Sequence, residues 1–398
     1  MSFSDFMAHL QTLTNDPPAA TAYAESYIAT HNGAFPIVED DIAHFIYKKS
    51  SDVVVGIAGD WNGFDARKAV MAPIGGGLLH YQHKFEADAR LDYILVEVDA
   101  ASGQKWLSHS RASVNARTLL DPLNPRVGAS AFGAPSELAM PGYQRPLATK
   151  ELPGIRPGVL REGSMKSKIL HQERSYTVYL PTDYDPHGTP YPNIYFHDGG
   201  DYLKLTNAQT ILDNLIGAER IPPLVAVFVP PQARDHEYNC NDRYVHFFCD
   251  ELVPELQSLY NLTADPGQRA VIGPSLGGLI SLYMGKQRPD VFGLVGAQSS
   301  AVHTINGVKT FDARTAFAVK PTSPQRLYLV MGSYEDCFST DWRGHCNDLL
   351  NPVRELRAVL ERYGYPHYYN EYHQGHSWGL WRDSLDEALY FFFGMARA

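Results

Sequence analysis

The amino-acid sequence predicts two folded domains, an antiparallel β-sandwich and, after it, an α/β domain with a mostly parallel sheet. Over residues 41–121, short strand-like runs alternate with turn signals, as they do in β-sandwiches. Over residues 158–398, strand-like and helix-like runs alternate, which is typical of a sheet covered by helices on both faces. The length of 398 residues also exceeds that of a usual single core, and the apolar content of 44% supports well-buried cores.

The composition excludes several classes of protein. Asp and Glu number 44 against 34 Lys and Arg, and the resulting net charge of −10 disfavours a nucleic-acid-binding surface. The chain has no run of apolar residues that is long enough to span a bilayer, and its N-terminus lacks the basic and apolar regions of a secretory signal. We therefore expect a cytoplasmic protein with no nucleic-acid or membrane partner. Its oligomeric state stays open.

The first domain is expected to follow a helical segment over residues 1–40. Helix-like stretches lie at residues 4–13 and 18–31, and strand-like runs lie at residues 44–49, 52–59, 77–85 and 92–99. Turn residues separate the strand-like runs, which indicates a β-sandwich over residues 41–121. Residues 122–157 are rich in Pro, Gly, Ser and Ala, and they predict an extended linker.

The second domain is expected over residues 158–398. Strand-like runs lie at residues 175–180, 193–197, 223–229, 269–273, 292–299, 326–332 and 367–373. The helix-like stretches lie at residues 247–260, 276–287, 349–363 and 378–393. Ligands in such α/β sheets bind at the carboxyl ends of the strands, so the functional residues are sought there.

Ser275 is the candidate nucleophile. It lies in the run RAVIGPSLGG (residues 269–278), where an apolar strand leads through G-P-S-L-G into a helix of small and apolar residues. The G-x-S-x-G motif requires this context, because the sharp turn exposes the hydroxyl, and its glycines avoid collisions with neighbouring strands. A second match at residues 375–379 is excluded, because triads of this type run serine, acid, histidine and no histidine follows Ser377.

His376 is the candidate general base that a serine nucleophile needs, and the base in turn needs an orienting acid. His376 follows the last strand-like run and precedes the last helix; His373 is the weaker alternative. The acid is expected in the loop after residues 326–332, where Glu335 and Asp336 both occur. Glu335 is favoured and Asp336 stays open, as does a serine–histidine dyad without an acid.

Two backbone N–H groups are expected to stabilise the oxyanion that forms at the attacked carbonyl. One belongs to Leu276, the residue after the nucleophile. The other is expected from Gly199 or Gly200, which follow a strand-like run. Glycine lets the backbone approach a ligand closely and adopt a positive φ. His197 and Asp198 are expected to brace this loop.

Several motifs together resemble the enterochelin (ferric enterobactin) esterase family, in the esterase-D-like branch of the α/β-hydrolases. They are YTVYLP, HDGG, GPSLGG and GHSWGLWR in the C-terminal part, and GDWNGFD, DYILVEV, LDPLNPRVG and SELAMP in the N-terminal part. The resemblance implies an α/β-hydrolase catalytic domain with an N-terminal immunoglobulin-like domain that helps to form the substrate cleft. It also implies a serine carboxylesterase that hydrolyses the trilactone of catecholate siderophores and releases iron in the cytoplasm.

A ferric siderophore ester is anionic and aromatic, so cationic and aromatic side chains are its candidate contacts. Arg234 and Arg382 are the candidate cations, and Tyr202 and Trp378 are the candidate aromatic contacts near the strand ends. Each is also compatible with a structural role, such as pairing of Arg382 with a carboxylate. GDWNGFD also resembles sugar-binding modules that precede feruloyl and acetyl-xylan esterases. A feruloyl, acetyl or other small-ester hydrolase is therefore the alternative, and a non-catalytic binding protein is a third reading.

The cysteines do not indicate a metal centre. Cys240 and Cys249, and likewise Cys337 and Cys346, are separated by eight residues, whereas zinc sites favour two to four. We expect neither a metal nor an organic cofactor. In a reducing compartment the expectation is four free thiols, with one disulfide across a surface loop left open.

Overall fold

The structure, a computed structural model, describes residues 1–49, 52–99, 116–131, 133–304, 310–341 and 343–395. Its chain forms two compact units. Unit 1 consists of Met1–Gln144, Gly332–Asp348 and Tyr372–Ser377, and unit 2 consists of Arg145–Met331, Leu349–Glu371 and Trp378–Ala398. Two short segments from late in the chain therefore belong to the same unit as the first 144 residues.

Unit 1 begins with the helices α1 (Phe3–Thr12) and α2 (Pro17–Thr30), both within one residue of the predicted bounds. The hydroxyl of Ser2 accepts a hydrogen bond from the backbone N–H of Asp5 at 2.9 Å, which satisfies a donor of the first turn of α1. Pro17 starts α2, where its missing N–H costs no hydrogen bond. The predicted helices are confirmed.

Two antiparallel sheets follow in unit 1. Their strands are β1 (Ile37–Glu39), β2 (Ile42–Lys48), β3 (Val53–Gly59), β4 (Ala72–Gly75), β5 (Leu78–Lys84), β6 (Arg90–Asp99), β7 (Ala116–Leu119) and β8 (Ser136–Ala139). The first sheet has the order β1-β2-β5-β4, and the second has the order β3-β6-β7 with β8 also paired to β6. Side chains from both sheets, such as Phe45 and Tyr93, share one hydrophobic core. The four predicted strand-like runs are confirmed, and the immunoglobulin-like connectivity stays a prediction.

The expected linker over residues 122–157 is wrong for one segment. Ser136–Ala139 forms β8, which pairs with the start of β6 in the register Arg90↔Ala139 to Tyr93↔Ser136. Leu138 is buried in the core of the two sheets. A four-residue strand with so few apolar residues carries no clear period, so its pairing depends on a partner strand that lies far away in the sequence.

Unit 2 is built around an eight-stranded sheet of order β18-β15-β14-β13-β11-β12-β10-β9. Its strands are β9 (Val159–Ser167), β10 (Gln172–Leu180), β11 (Asn193–His197), β12 (Val225–Val229), β13 (Arg269–Pro274), β14 (Leu294–Gln298), β15 (Arg326–Gly332) and β18 (His367–Tyr372). The strands β16 (Ser339–Thr340) and β17 (Cys346–Asn347) form a separate two-stranded ladder in unit 1. The sheet of unit 2 is mixed, because β11 to β15 run parallel whereas β10 pairs antiparallel with β9 and β12.

Helices accompany this sheet. They are α3 (Gly199–Leu205), α4 (Ala208–Gly217), α5 (Arg234–Tyr238), α6 (Asp242–His246), α7 (Val253–Leu259), α8 (Leu276–Gln287), α9 (Ala313–Ala316), α10 (Leu350–Tyr363), α11 (Trp378–Asp383) and α12 (Leu385–Phe393). A π-helical segment, Phe247–Leu252, joins α6 to α7, and the predicted helix over residues 378–393 is broken at Ser384. Within the described ranges, no helix has both the length and the hydropathy that a bilayer span requires.

The sheet of unit 2 brings the candidate residues of this unit to one edge. The strands β11, β13 and β14 are parallel neighbours whose carboxyl ends lie together, and they end at His197, Pro274 and Gln298. The backbone N–H of Ser275 donates a hydrogen bond to the carbonyl of Gln298 at 2.8 Å. The edge predicted to carry the site is therefore the one that carries Ser275.

Replacing Leu138 with alanine tests whether β8 belongs to the folded core. The side chain of Leu138 is 1% exposed, so its loss should lower the free energy of unfolding by about 2–5 kcal/mol in urea denaturation. The matched control is Leu147→Ala in the same stretch of chain, because Leu147 is 69% exposed. An equal effect of the two substitutions would contradict the core position of β8.

Candidate active site

Ser275 occupies a strained turn between β13 and α8. Its φ is 56° and its ψ is −119°, a conformation that a residue other than glycine adopts only when its surroundings enforce it. The hydrogen bond from its N–H to Gln298 fixes the turn to β14. The side chain is half-buried. The structure thus has the strand–turn–helix context that exposes a nucleophilic hydroxyl.

The glycines around Ser275 are required by close approach of the backbone. A Cβ at Gly273 would lie 2.6 Å from the backbone of Gly277. A Cβ at Gly277 would lie 3.1 Å from the carboxylate of Asp198. A Cβ at Gly277 would also lie 3.4 Å from the Cβ of His197, the last residue of the strand β11. The obstacles are therefore the turn itself, the end of β11 and the loop that follows it.

The candidate oxyanion donors are backbone amides at the beginnings of helices. Leu276 is the first residue of α8, so its N–H has no intrahelical acceptor. Asp198 has a φ of 54°, and this left-handed conformation turns the chain into Gly199. Gly199 is buried, and a Cβ there would lie 2.2 Å from the backbone of Val229. Gly200, in contrast, is exposed with open space around it.

The loop that carries Gly199 is held by an ion pair between the buried Asp198 and the partly exposed Arg234. The guanidinium of Arg234 donates two hydrogen bonds to the carboxylate of Asp198, both at 2.8 Å. One of these nitrogens also lies 3.4 Å from the carbonyl of Pro274. Burial, and secondly the charge of Arg234, lower the pKa of His197 to about 3, so this imidazole is neutral. Asp198 is therefore part of the support of the loop, and a bracing role of His197 stays a prediction.

The candidate base and acid contact each other in unit 1. Nδ1 of His376 lies 2.7 Å from Oε2 of Glu335, whose side chain is fully buried. Oε1 of Glu335 accepts a hydrogen bond from the N–H of Gly332 at 2.7 Å. An ionised carboxylate only accepts hydrogen bonds, so Nδ1 carries the proton and Nε2 keeps its lone pair. This is the tautomer that a general base requires.

The neighbouring alternatives for acid and base have other environments. Asp336 follows Glu335 directly, but its side chain is exposed. Nδ1 of His373 lies 2.6 Å from a carboxylate oxygen of Asp88. The ring of Phe338 packs against the imidazole of His376 with a centroid distance of 5.0 Å. Of the sequence candidates, the structure thus brings together Glu335 and His376.

Three candidate substrate contacts have buried side chains with partners in the protein, and their contact with a substrate stays a prediction. The side chain of Tyr202 is fully buried and its hydroxyl donates to the side-chain carbonyl of Gln298. Trp378 is buried against Tyr202 with a ring-centroid distance of 5.4 Å. Arg382 is buried and its Nε donates to the carboxylate of Asp383 at 2.9 Å. Arg234, the fourth candidate, keeps a third of its side chain exposed while it binds Asp198.

Gln298 is a residue that the sequence analysis missed. Its backbone carbonyl accepts from Ser275, and its side-chain amide donates to the carbonyl of Trp381 at 2.9 Å and the hydroxyl of Ser384 at 2.7 Å. The sequence contained a signal for this residue: Gln298 is the only strongly polar residue in the predicted strand over residues 292–299. A buried amide at the end of such a strand marks the edge of the sheet where the site lies.

The cysteines differ from the expectation of four free thiols and agree with the alternative of one disulfide that was left open. Cys337 and Cys346 form a disulfide, whereas Cys240 and Cys249 are free and buried. Burial raises the pKa of Cys249 to about 12, so this thiol is unreactive. In the part of the chain that the structure describes, His, Cys, Asp and Glu side chains form no group of three or more that could hold a metal ion.

The chain belongs to an esterase family. The model of the family described as "Putative esterase" matches residues 167–392, which are more than half of the chain. The fold and the arrangement around Ser275 agree with this membership, and the protein is a carboxylic ester hydrolase. The predicted class of enzyme is confirmed.

Known relatives place the chain near the enterobactin esterases. It is 29% identical over 242 residues to the uncharacterized protein YjcH of Bacillus subtilis, a match that covers 58% of this chain and 96% of that one. It is also 30% identical over 192 residues to the iron(III) enterobactin esterase of Escherichia coli, with 46% of each chain covered. The expected resemblance to the enterochelin esterase family is confirmed.

Solved structures show the same fold. The enterobactin esterase of Shigella flexneri superposes with a TM-score of 0.70 at 20% identity, covering 92% of this chain and 97% of that chain. A ferulic acid esterase of Anaeromyces mucronatus superposes with a TM-score of 0.50 at 20% identity, covering 62% of this chain and 95% of that one. The similarity to the enterobactin esterase therefore extends over a larger part of this chain.

Glu335→Gln and Asp336→Asn form a matched pair that tests the acid. Glutamine at position 335 no longer holds a proton on Nδ1 of His376 by a charge-assisted bond, so we expect ester hydrolysis to fall by roughly 10²–10⁴-fold. Asp336 is exposed, so its amide variant should keep the wild-type rate. The measurement is kcat on a chromogenic aryl ester. A loss in Asp336→Asn with an unchanged Glu335→Gln would reverse the assignment.

Proposed function

We propose that the protein is a serine carboxylesterase that works through an acyl-enzyme. The oxygen of Ser275 attacks the ester carbonyl, and Nε2 of His376 takes its proton and then gives it to the departing alkoxide. Glu335 holds the imidazole in the required tautomer and stabilises its protonated form. Water, activated by the same imidazole, then attacks the acyl-enzyme and releases the acid.

The conformation of Ser275 is the observation that carries the proposal. A positive φ at a non-glycine residue costs of order 1–3 kcal/mol, so the fold maintains this strain at a position where it exposes a hydroxyl. The Glu335–His376 hydrogen bond supplies the oriented base. The chain order of serine, acid and histidine is that of the triads of this fold.

The amides of Leu276 and Gly199 are the proposed oxyanion donors. Gly199 is preferred to Gly200 because the backbone of β12 packs against Gly199 and fixes its position. A donor that is held in place before the reaction needs no reorganisation when charge develops on the carbonyl oxygen. The Arg234–Asp198 ion pair supports this rigidity.

We propose a catecholate-siderophore ester, or a related aryl ester, as the substrate class, with a role in iron acquisition in the cytoplasm. The similarity to the Shigella flexneri enterobactin esterase over 92% of the chain favours this class, because it includes residues beyond the esterase match. Arg234, whose side chain is one-third exposed, is the proposed cationic contact for the anionic substrate. An immunoglobulin-like N-terminal domain is part of the same proposal.

A feruloyl-type ester is the second candidate. The fold match to the ferulic acid esterase of Anaeromyces mucronatus favours it, although that match covers 62% of this chain. In both candidate functions, a serine esterase hydrolyses a substrate whose acyl group carries an aromatic ring. They differ in the charge and size of the substrate, which a direct comparison separates.

Labelling with a fluorophosphonate probe tests the mechanism. The wild-type protein should acquire one covalent adduct, mapped by mass spectrometry to Ser275, because the probe requires an activated serine. Ser275→Ala should acquire none, and His376→Ala should label far more slowly. An unlabelled wild-type protein, or an adduct that persists in Ser275→Ala, would refute the serine-esterase mechanism.

Comparing substrates tests the proposed class. We expect kcat/KM for ferric enterobactin to exceed that for a feruloylated arabinose, with release of monomeric catecholates followed by chromatography. Methyl ferulate serves as a small ester of an aromatic acid in both comparisons. A clear preference for the feruloylated sugar would instead support the second candidate.

A further inference from the structure

Arg90, the first residue of β6, has a fully buried side chain that reaches the segment carrying His376. Its Nε donates to the carboxylate of Glu137 at 2.9 Å, and its Nη2 lies 2.7 Å from an oxygen of Asp92. Its Nη1 donates to the hydroxyl of Ser377 at 2.9 Å. A guanidinium presents its donors in a rigid plane, so the two carboxylates fix the direction in which Nη1 points. Ser377 directly follows His376.

The backbone of the histidine loop, defined as residues 373–377, is attached to the same strand. The N–H of Arg90 donates to the carbonyl of His373 at 3.0 Å, and Arg90 forms an isolated parallel bridge with Gln374. On the acid side, a Cβ at Gly332 would lie 2.1 Å from the carbonyl oxygen of Gln374. The loop therefore lies between the start of β6 and the residue whose N–H binds Glu335.

The side chain of Asp60 packs closely against Gly375, the residue that precedes His376. A Cβ at Gly375 would lie 2.0 Å from the carboxyl carbon of Asp60, so a side chain at position 375 would displace the loop. Asp60 is itself fixed, because its carboxylate accepts a hydrogen bond from the N–H of Asp92 at 2.7 Å. Asp60 belongs to the GDWNGFD motif, whose Gly63 accepts a hydrogen bond from the N–H of Thr340 at 2.9 Å.

Arg90 also balances the charge of these carboxylates. Burial, and then the charge of Asp92, raise the pKa of Asp60 well above its usual range, and Arg90 acts in the opposite direction. Glu137 lies 2.8 Å from the guanidinium as well. Loss of this cation would leave several buried carboxylates close to the Glu335–His376 pair. Geometry and charge thus both connect Arg90 to the histidine loop.

We propose that Arg90 is a positioning residue for catalysis, which holds the histidine loop through Ser377 and keeps the imidazole of His376 on Glu335. The inference rests on the proposed serine-esterase function and deepens it. It gives the N-terminal sheets a part in the proton-transfer step, in addition to any contact with substrate. A purely structural ion pair would affect stability and leave the turnover of the folded molecules unchanged.

Ser377→Ala is the mildest test, because it removes only the hydroxyl that links Arg90 to the histidine loop. We expect kcat on an aryl ester to fall about tenfold with KM unchanged, since a small misplacement of a catalytic group slows chemistry without weakening binding. The rate of fluorophosphonate labelling at Ser275 should fall by a similar factor. The thermal midpoint, measured in parallel, reports whether the variant is folded.

Substitutions of Arg90 test whether a conservative change of this residue preserves catalysis. We expect Arg90→Lys, which keeps the charge, to retain more kcat per folded molecule than Arg90→Met. The matched control is Arg269→Met, since Arg269 is also buried but lies at the start of β13, away from Ser275, where it donates to Asn193. The control should lose stability and keep kcat. Wild-type kcat in both Ser377→Ala and the folded fraction of Arg90→Met would overturn the proposal.

A spectroscopic readout separates this proposal from the proposed function. The proton on Nδ1 of His376 should give a downfield ¹H NMR signal that is absent in His376→Ala, and Ser377→Ala should shift or broaden it. If the wild-type protein neither labels nor turns over esters, the proposed function fails, and this signal alone tests the positioning. A signal that is identical in wild type and Ser377→Ala would overturn the role of Arg90.

Discussion

A carboxylate that is removed from water needs partners that replace its hydration, and this constraint organises the Glu335–His376 pair of unit 1. Glu335 is fully buried, and its oxygens bind the N–H of Gly332 and the imidazole of His376. The buried carboxylate of Glu335 therefore needs the imidazole of His376 as a hydrogen-bond donor, and the imidazole is oriented by this carboxylate. Because the pairing leaves Nε2 of His376 with its lone pair, one hydrogen bond satisfies a buried carboxylate and sets the tautomer that the proposed base requires.

The turn at Ser275 in unit 2 depends on a second constraint, which is backbone strain. Ser275 has a positive φ, and close packing maintains it: Gly273 approaches Gly277, and Gly277 approaches Asp198. The Arg234–Asp198 ion pair then links the turn to the loop of Gly199. Ion pairs with buried members contribute little to the net free energy of unfolding, yet the loss of one partner lowers that free energy strongly. Such a pair therefore holds the chain in one geometry.

The candidate catalytic residues are divided between the two compact units, with Ser275 in unit 2 and both Glu335 and His376 in unit 1. Glu335 and His376 follow strands of the α/β sheet in the chain, but both lie in segments that belong to the unit of the N-terminal sheets. The esterase match over residues 167–392 includes them, and the fold similarity to the enterobactin esterase extends further, over 92% of the chain. The N-terminal sheets are therefore in the same unit as the proposed base, His376, and the Arg90 proposal follows from this division.

Sequence alone determined the features that depend on neighbouring residues. The helices at the N-terminus, most strands, the turn at Ser275 and the order of serine, acid and histidine were all predictable, because caps, periodicity and glycine spacing act over a few positions. Tertiary structure brought Glu335, and not the adjacent and chemically similar Asp336, to His376, and it buried Tyr202. It also paired Arg90 with Ser377 across 287 positions, since packing between distant segments leaves no local pattern in the chain.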